Sequence, residues 1–234
     1  MSQDSVKIHR GLVGVYFDRT KTTYINGKEG ILEYCGYNIH DLAENSTFEE
    51  TAYLLLNGKL PNQSELDQFN TDLINSRSIS PKIIDIIRSI KDAHPMDVLR
   101  TSVSALSTFD EEAADKSYEA TMRKGIRLTS QVPTIVMAHN AIRNDKEPIQ
   151  PSKSLSHAAN FLYMLDGQTP SESAAKLMDK DFIVHADHGS NASAFAARVC
   201  AGTQADLHSA ITTGISVLSG PSHGGAAENV MKMV

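Results

Sequence analysis

From Thr47 onward the chain is punctuated at short intervals by residues that start and stop α-helices, and this punctuation most narrows the folds open to it. In "NSTFEETAYLLLNGKLP", Thr47 and Glu50 form a capping box ahead of a leucine-rich body, with Gly58 at the stop and Pro61 beyond it. The same grammar predicts a helix from Ser64 to about Ser76 and another opened by Ser80–Pro81 over "KIIDIIRSIK". A third opens at Pro95 over "MDVLRTSVSALSTF", and a long stretch from about Glu111 to Asn144 follows, which Pro133 should kink or split. "SKSLSHAANFLYMLDG", "SESAAKLMDKDFIVHADHG", "NASAFAARVCAGT" and "ADLHSAITTGISVLSG" continue the series, each bounded by Ser, Asp, Asn, Gly or Pro.

Ahead of these helices, "TTYINGKEGILEY" sets the turn residues Asn26 and Gly27 between the β-prone runs Thr22–Ile25 and Ile31–Tyr34, which predicts a hairpin. No internal repeat, low-complexity tract or linker divides the chain. The expected fold is mainly α: an almost all-helical domain with one short N-terminal β-hairpin, running over residues 1–234.

With 234 residues, 41% of them apolar, the chain can fill one generous core or a large domain with part of a second. Its net charge of −6, with no local Lys/Arg cluster to offset it, argues against nucleic acid and against a membrane headgroup surface. An anionic small molecule remains compatible, since it needs only a few local donors. No secretory leader is expected, and no apolar run approaches the ~20 residues of a bilayer span. The expected location is therefore cytoplasmic. Cys35 and Cys200 lie far apart and form no CxxC pair, so both are read as buried small apolar residues rather than as a disulfide or a metal site.

Two motifs carry candidate chemistry. In "HADHGSN", His185 and His188 are three apart and can face one side of a helix end. Three readings stay open: hydrogen-bonded histidines of a core or interface, a metal site lacking a third ligand at useful spacing, or a ligand pocket. In the last, the Gly189-Ser190-Asn191 turn and His188 receive carboxylate oxygens at the N-terminus of the next helix.

In "GPSHGGAAENVMKM", Gly220-Pro221 ends one helix, and Gly224-Gly225 lets backbone approach a ligand closely. His223 then stands at the start of a helix running toward Met233, whose dipole disfavours imidazolium. The ring is read either as a neutral hydrogen-bond donor to a carbonyl oxygen becoming enolate-like or as a helix-capping histidine.

"YCGYNIHDLAENSTFEETAYLLLNGKLP", "HPMDVLRTSVSAL", "VHADHGSNASAFAARV" and "GPSHGGAAENVMKM", in that order along essentially the whole chain, resemble the citrate synthase family. The resemblance implies a multi-helical large domain, homodimeric through packed helices, which is incomplete here. A small domain that closes over acetyl-CoA and oxaloacetate would follow Val234 and is mostly missing from the chain. Carried over by motif position, His223 matches the catalytic histidine that hydrogen-bonds the acetyl-CoA thioester oxygen and stabilises the enol. His188 matches the histidine that binds oxaloacetate, with Asn191 beside it.

The family's second catalytic histidine, its aspartate base and its dicarboxylate-binding arginines would lie beyond Val234. The chain by itself is therefore expected not to turn over. Acetyl-CoA is a co-substrate, and no other cofactor and no metal is implied. Ala227 stands where the family usually has Asn, Ser222 replaces a common Leu, and Cys35 occupies a position where Arg is frequent; these departures bear on substrate detail. Three rivals to citrate synthesis are carried forward: 2-methylcitrate synthesis from propionyl-CoA, a lyase that cleaves citryl-CoA, and a non-catalytic dimeric scaffold.

Overall fold

The computed structural model describes Gly14 and residues 19–224. Strands β1 (Thr23–Asn26), β2 (Ile31–Tyr34) and β3 (Tyr37–Asn38) form an antiparallel meander, with Thr23 opposite Tyr34 and Tyr34 opposite Tyr37. The third strand was not expected. It arises because Cys35 and Gly36 both adopt positive φ, 49° and 88°, and turn the chain back on β2. Cys35 is half-buried rather than buried, with its thiol 3.6 Å from the Leu54 carbonyl, and Cys200 is half-buried as well.

Ten α-helices follow among the described residues: α1 (Ile39–Asn45), α2 (Phe48–Asn57), α3 (Gln63–Asn75), α4 (Pro81–Ser89), α5 (Pro95–Leu106), α6 (Tyr118–Arg143), α7 (His157–Asp166), α8 (Glu172–Val184), α9 (Ala192–Gly202) and α10 (Leu207–Leu218). The chain is thus mainly α with a small sheet, as its punctuation predicts. The capping box of α2 is formed by Thr47 and Glu50, and Gly58 closes that helix in the left-handed region at φ 73°. Ser80 caps α4 with Pro81 behind it, and His94 caps α5 through its ring nitrogen, 3.2 Å from the Met96 amide.

The stretch from Glu111 departs from expectation, because α6 starts only at Tyr118. Residues 110–117 are held as a turn by tertiary bonds that local sequence does not display. Arg127 grips Asp110 and Glu112 at 2.8 Å, and the buried Lys124 donates to the carbonyls of Glu112, Ala113 and Asp115. Pro133 lies inside α6 without ending it. Contacts on either side hold that segment to the α3–α4 connection: Gln131 Nε2 donates to Ser78 O at 3.3 Å, and Thr134 Oγ1 donates to Arg77 O at 2.8 Å.

The main core sits among α4, α5, α6 and α10, around Ile83, Ile87, Val98, Val103, Ile135 and Ile215. A second cluster joins the sheet to the helices, with Tyr34, Ile39, Leu42, Leu54 and Ile183 all buried together. Burying each such side chain stabilises the fold by about 1.5–3 kcal/mol. This second cluster fixes the end of α8 against β2, and the candidate site begins there. Among the described residues no helix is long and apolar enough to cross a membrane. The expected helix over 226–233, and with it the departure at Ala227, lies outside the described residues.

Candidate active site

The site is built on the turn between α8 and α9 and on the loop after α10. α8 ends at Val184 with His185 as its C-cap, and the chain then turns through residues 186–190. Gly189 has φ +63°, which disfavours any side chain there. A Cβ at Gly189 would lie 3.7 Å from Ile25 Cδ1 and 3.9 Å from Thr23 Cβ, so the turn rests against β1. Tyr34 holds it from the β2 side: its hydroxyl is 2.9 Å from Asp187 O and accepts from Asp187 N at 3.2 Å.

His188 and Asn191 come from this turn. His188 is exposed at the N-terminal side of α9, whereas a buried ring would suit a strong charge-assisted bond better; no described segment covers that face. Asn191 is the N-cap of α9, its side-chain oxygen accepting from Ala194 N at 2.9 Å. With the oxygen engaged, its NH2 is the group suited to a ligand. His185 takes a different role from His188. Its Nδ1 lies 2.8 Å from Asp181 O, one turn back in α8, and its side chain is largely exposed. The spacing of the two histidines therefore reflects a helix end.

Asp187 supports the turn with its carboxyl group, which lies against the amides of His188 and Gly189 and the Thr22 hydroxyl. Burial raises its pKa above the usual carboxylate value, opposed by those donors. Its Oδ2 is buried without a hydrogen-bond partner.

His223 reaches the same region through the close packing of α9 and α10. The two helices meet at Gly214, where a Cβ would stand in ordinary van der Waals contact, 3.5 Å from Ser193 O and 3.8 Å from Ala197 Cβ. The chain leaves α10 at Leu218, turns through 219–222, and closes with His223 N donating to Gly220 O at 3.0 Å. Gly224 is the last described residue, so the helix expected to start after His223 lies outside the described residues. The half-buried ring places Nε2 2.7 Å from Ser193 Oγ, in the first turn of α9.

The α9 N-terminus thus brings Asn191, Ser193 and His223 together, with His188 on the preceding turn. Sequence reasoning missed Ser193 and Tyr34. The available signal for Ser193 was its position two residues after Asn191, at the start of a helix already suspected of lining a pocket. For Tyr34 there was none beyond a β-prone aromatic at a strand end.

Comparison with known proteins gives a consistent picture. The family profile described as "Citrate synthase, C-terminal domain" matches residues 11–234. The chain is similar to the citrate synthase of Haloferax volcanii, 43% identical over 235 residues that cover 98% of this chain and 62% of that protein. It is also similar to the 2-methylcitrate synthase of Mycobacterium tuberculosis, 38% identical, covering 96% of this chain and 57% of that one. Among solved structures, it superposes with a TM-score of 0.90 on the Thermoplasma acidophilum citrate synthase in a ternary complex with carboxymethyl coenzyme A and oxaloacetate, at 28% identity, covering 95% of this chain and 59% of that one. The chain spans about three-fifths of the length of the curated relatives it matches.

Proposed function

The chain belongs to the citrate synthase family, and from that premise we propose that it is the large-domain portion of an enzyme that condenses acetyl-CoA with oxaloacetate and water to citrate and CoA. This is the reaction that feeds acetyl groups into the tricarboxylic acid cycle. The observation that carries the reading is the contact of Ser193 with His223 at the N-terminus of α9, next to Asn191. In this reading the small acyl-CoA-binding domain and the remaining catalytic groups are not among residues 1–234, which span about three-fifths of the relatives' length.

The chemistry needs a proton removed from the thioester methyl while the thioester oxygen receives a hydrogen bond. If the Ser193 hydroxyl donates to Nε2, the His223 proton resides on Nδ1, and the neutral ring can donate from there. As the methyl loses its proton to a carboxylate base, charge grows on the thioester oxygen and that bond strengthens. The enol carbon then attacks the ketone carbon of oxaloacetate: the new C–C bond forms as the ketone π bond breaks, the ketone oxygen takes up a proton to become a hydroxyl, and the thioester carbonyl is restored. Water cleaves the resulting thioester and releases CoA. His188 and the Asn191 NH2 donate to oxaloacetate and hold it for the attack. In this scheme proton transfer assists two nucleophilic additions, acetyl-CoA enters as co-substrate, and no other cofactor or metal is invoked.

The working assembly is a homodimer through α5, α6, α10 and the segment after Gly224, in the cytoplasm. Uncovered apolar surface supports the dimer: Phe48, Met122, Val132, Phe182, Leu207 and Ile211 line an open cavity of about 520 Å³. Met96, Leu99 and Val136 line another of about 270 Å³ between α5 and α6. A stable monomer at micromolar concentration in sedimentation would remove this part of the reading.

The test of function is CoA release by the complete protein from acetyl-CoA with oxaloacetate, run beside propionyl-CoA. A higher kcat/KM with acetyl-CoA is expected. A preference for propionyl-CoA would favour 2-methylcitrate synthesis, the activity named for the Mycobacterium tuberculosis relative. No release with either would leave the dimeric scaffold.

A further inference from the structure

Tyr34 is fully buried at the end of β2, yet its hydroxyl is not idle. It lies 2.9 Å from Asp187 O and 3.3 Å from Val184 O, and it accepts from Asp187 N at 3.2 Å. One side chain therefore bonds the last residue of α8 and both backbone polar groups of the residue before His188, across about 150 positions of sequence. The hairpin adds two more contacts to the same turn. The Thr22 hydroxyl lies against the Asp187 carboxyl, and Thr23 and Ile25 form the wall under Gly189.

The turn's own bonds are local: His185 Nδ1 to Asp181 O, and Asn191 N to Gly189 O at 3.0 Å. They shape the turn without fixing where it sits relative to α10 and His223. That placement comes from the packing of α10 on α9, from the apolar cluster that seats the end of α8 on β2, and from the Tyr34 hydroxyl, which ties the turn's backbone to the hairpin. The ring itself is locked by Leu54 and Ile183, so the hydroxyl is a rigid reference point. Burial pushes the phenol pKa upward, which keeps the group a neutral donor and acceptor.

We infer that Tyr34 is a positioning residue for oxaloacetate: its hydroxyl sets the α8–α9 turn so that His188 and Asn191 meet the ligand in the orientation His223 requires. The inference rests on the site assignment proposed above. It makes the N-terminal hairpin a working part of the site, although no hairpin side chain need touch the ligand.

The experiment is Tyr34→Phe in the complete protein, which keeps the ring and removes only the hydroxyl. Oxaloacetate Kd by calorimetry and its KM should rise about five- to twentyfold, while kcat at saturation falls less than about threefold and acetyl-CoA affinity holds. Hydrogen exchange should quicken at the amides of residues 187–191 and stay unchanged in α5. Thr22→Val, a milder change on the same turn, should move oxaloacetate affinity in the same direction by a smaller factor; it stands in if Tyr34→Phe does not fold. Unaltered oxaloacetate affinity in the variant, alongside weakened binding in His188→Ala, would overturn the positioning role and leave the site assignment intact. Unaltered affinity in His188→Ala itself would overturn the assignment.

Discussion

Ser193 Oγ stands 2.7 Å from His223 Nε2, so the first turn of α9 holds the ring that follows α10. A hydroxyl at this distance holds the ring in one orientation, donating to Nε2 or accepting from it as the tautomer dictates. This hold precedes any contact with substrate. His223→Ala in the complete protein should lower kcat by ~10²–10³ and leave oxaloacetate affinity nearly intact, because the ring's partner gains its charge only as the thioester enolises. Ser193→Ala should lower kcat by about tenfold, since the ring remains but its orientation is no longer held. The double variant should be little worse than His223→Ala alone. Steady-state kinetics on the three variants check this; fully multiplicative losses would mean that Ser193 acts on something other than His223.

Two groups beside Phe48, the buried His157 and the half-buried Asp179, give the stability a structured pH dependence. His157 is held neutral by burial and then by the nearby Arg77 charge, with its pKa lowered to about 4. Its contribution is full above the unfolded pKa of about 6.5 and is lost as pH falls toward 4. Asp179, which accepts from Phe48 N at 3.2 Å, has its pKa raised to about 6, first by burial and further by Glu49 and Glu50. Its contribution has the opposite slope, full below the unfolded pKa of about 3.8 and lost as pH rises through 6.

The two slopes oppose one another between about pH 4 and 6, so Asp179→Asn should expose that of His157. The variant can still accept from Phe48 N and should be more stable than the parent at pH 7 by about 1 kcal/mol, after discounting for the solvent that reaches this half-buried group. The advantage should vanish by about pH 4, making the variant's loss on acidification steeper. Urea midpoints at pH 7 and 4.5 test both signs. A variant less stable at pH 7 would mean that the ionised carboxylate's bond to Phe48 outweighs its burial.

Lys124 tests the tie between α6 and the turn before it. The side chain is 1% exposed and points its donors at the carbonyls of Glu112, Ala113 and Asp115. Lys124→Met keeps the aliphatic stem and strands those acceptors, so a loss of about 2–3 kcal/mol is expected in urea unfolding. Residues 110–117 should also become susceptible to limited proteolysis. A loss under about 0.5 kcal/mol would mean that water replaces the ammonium without difficulty.

These cases mark where sequence suffices and where it does not. The ends of α2 and α4 are legible because Thr47 with Glu50, and Ser80 with Pro81, act within one helical turn. The start of α6 was misplaced because Lys124 and Arg127 determine it from within the helix, by bonds across 9 to 17 residues. In the site, His188, Asn191 and His223 are legible as polar or catalytic residue types set in glycine-punctuated turns. Ser193 is a common residue near a helix start, and only the return of α10 along α9 gives it a partner 30 positions away. Tyr34 carries no mark at all, since its role is created by a turn some 150 residues downstream.

The glycines around His223 separate packing from mere flexibility. A Cβ on Gly224 would lie 2.5 Å from Leu218 O and 2.8 Å from Leu218 Cδ1, and the first of these is backbone at the end of α10 that cannot step aside cheaply. Gly224→Ala must therefore push the loop away from α10, and His223 moves with it off Ser193. The variant should lose about 1–3 kcal/mol in stability and at least tenfold in kcat, with oxaloacetate affinity kept because the α8–α9 turn is untouched. Gly220→Ala meets only Val217 O at 3.2 Å and should be milder on both counts. Gly27→Ala, with nothing within 4 Å and a turn far from His223, should leave kcat unchanged. If Gly224→Ala and Gly27→Ala had equal kcat, the position of the ring would not depend on this contact, and Ser193 alone would have to account for it.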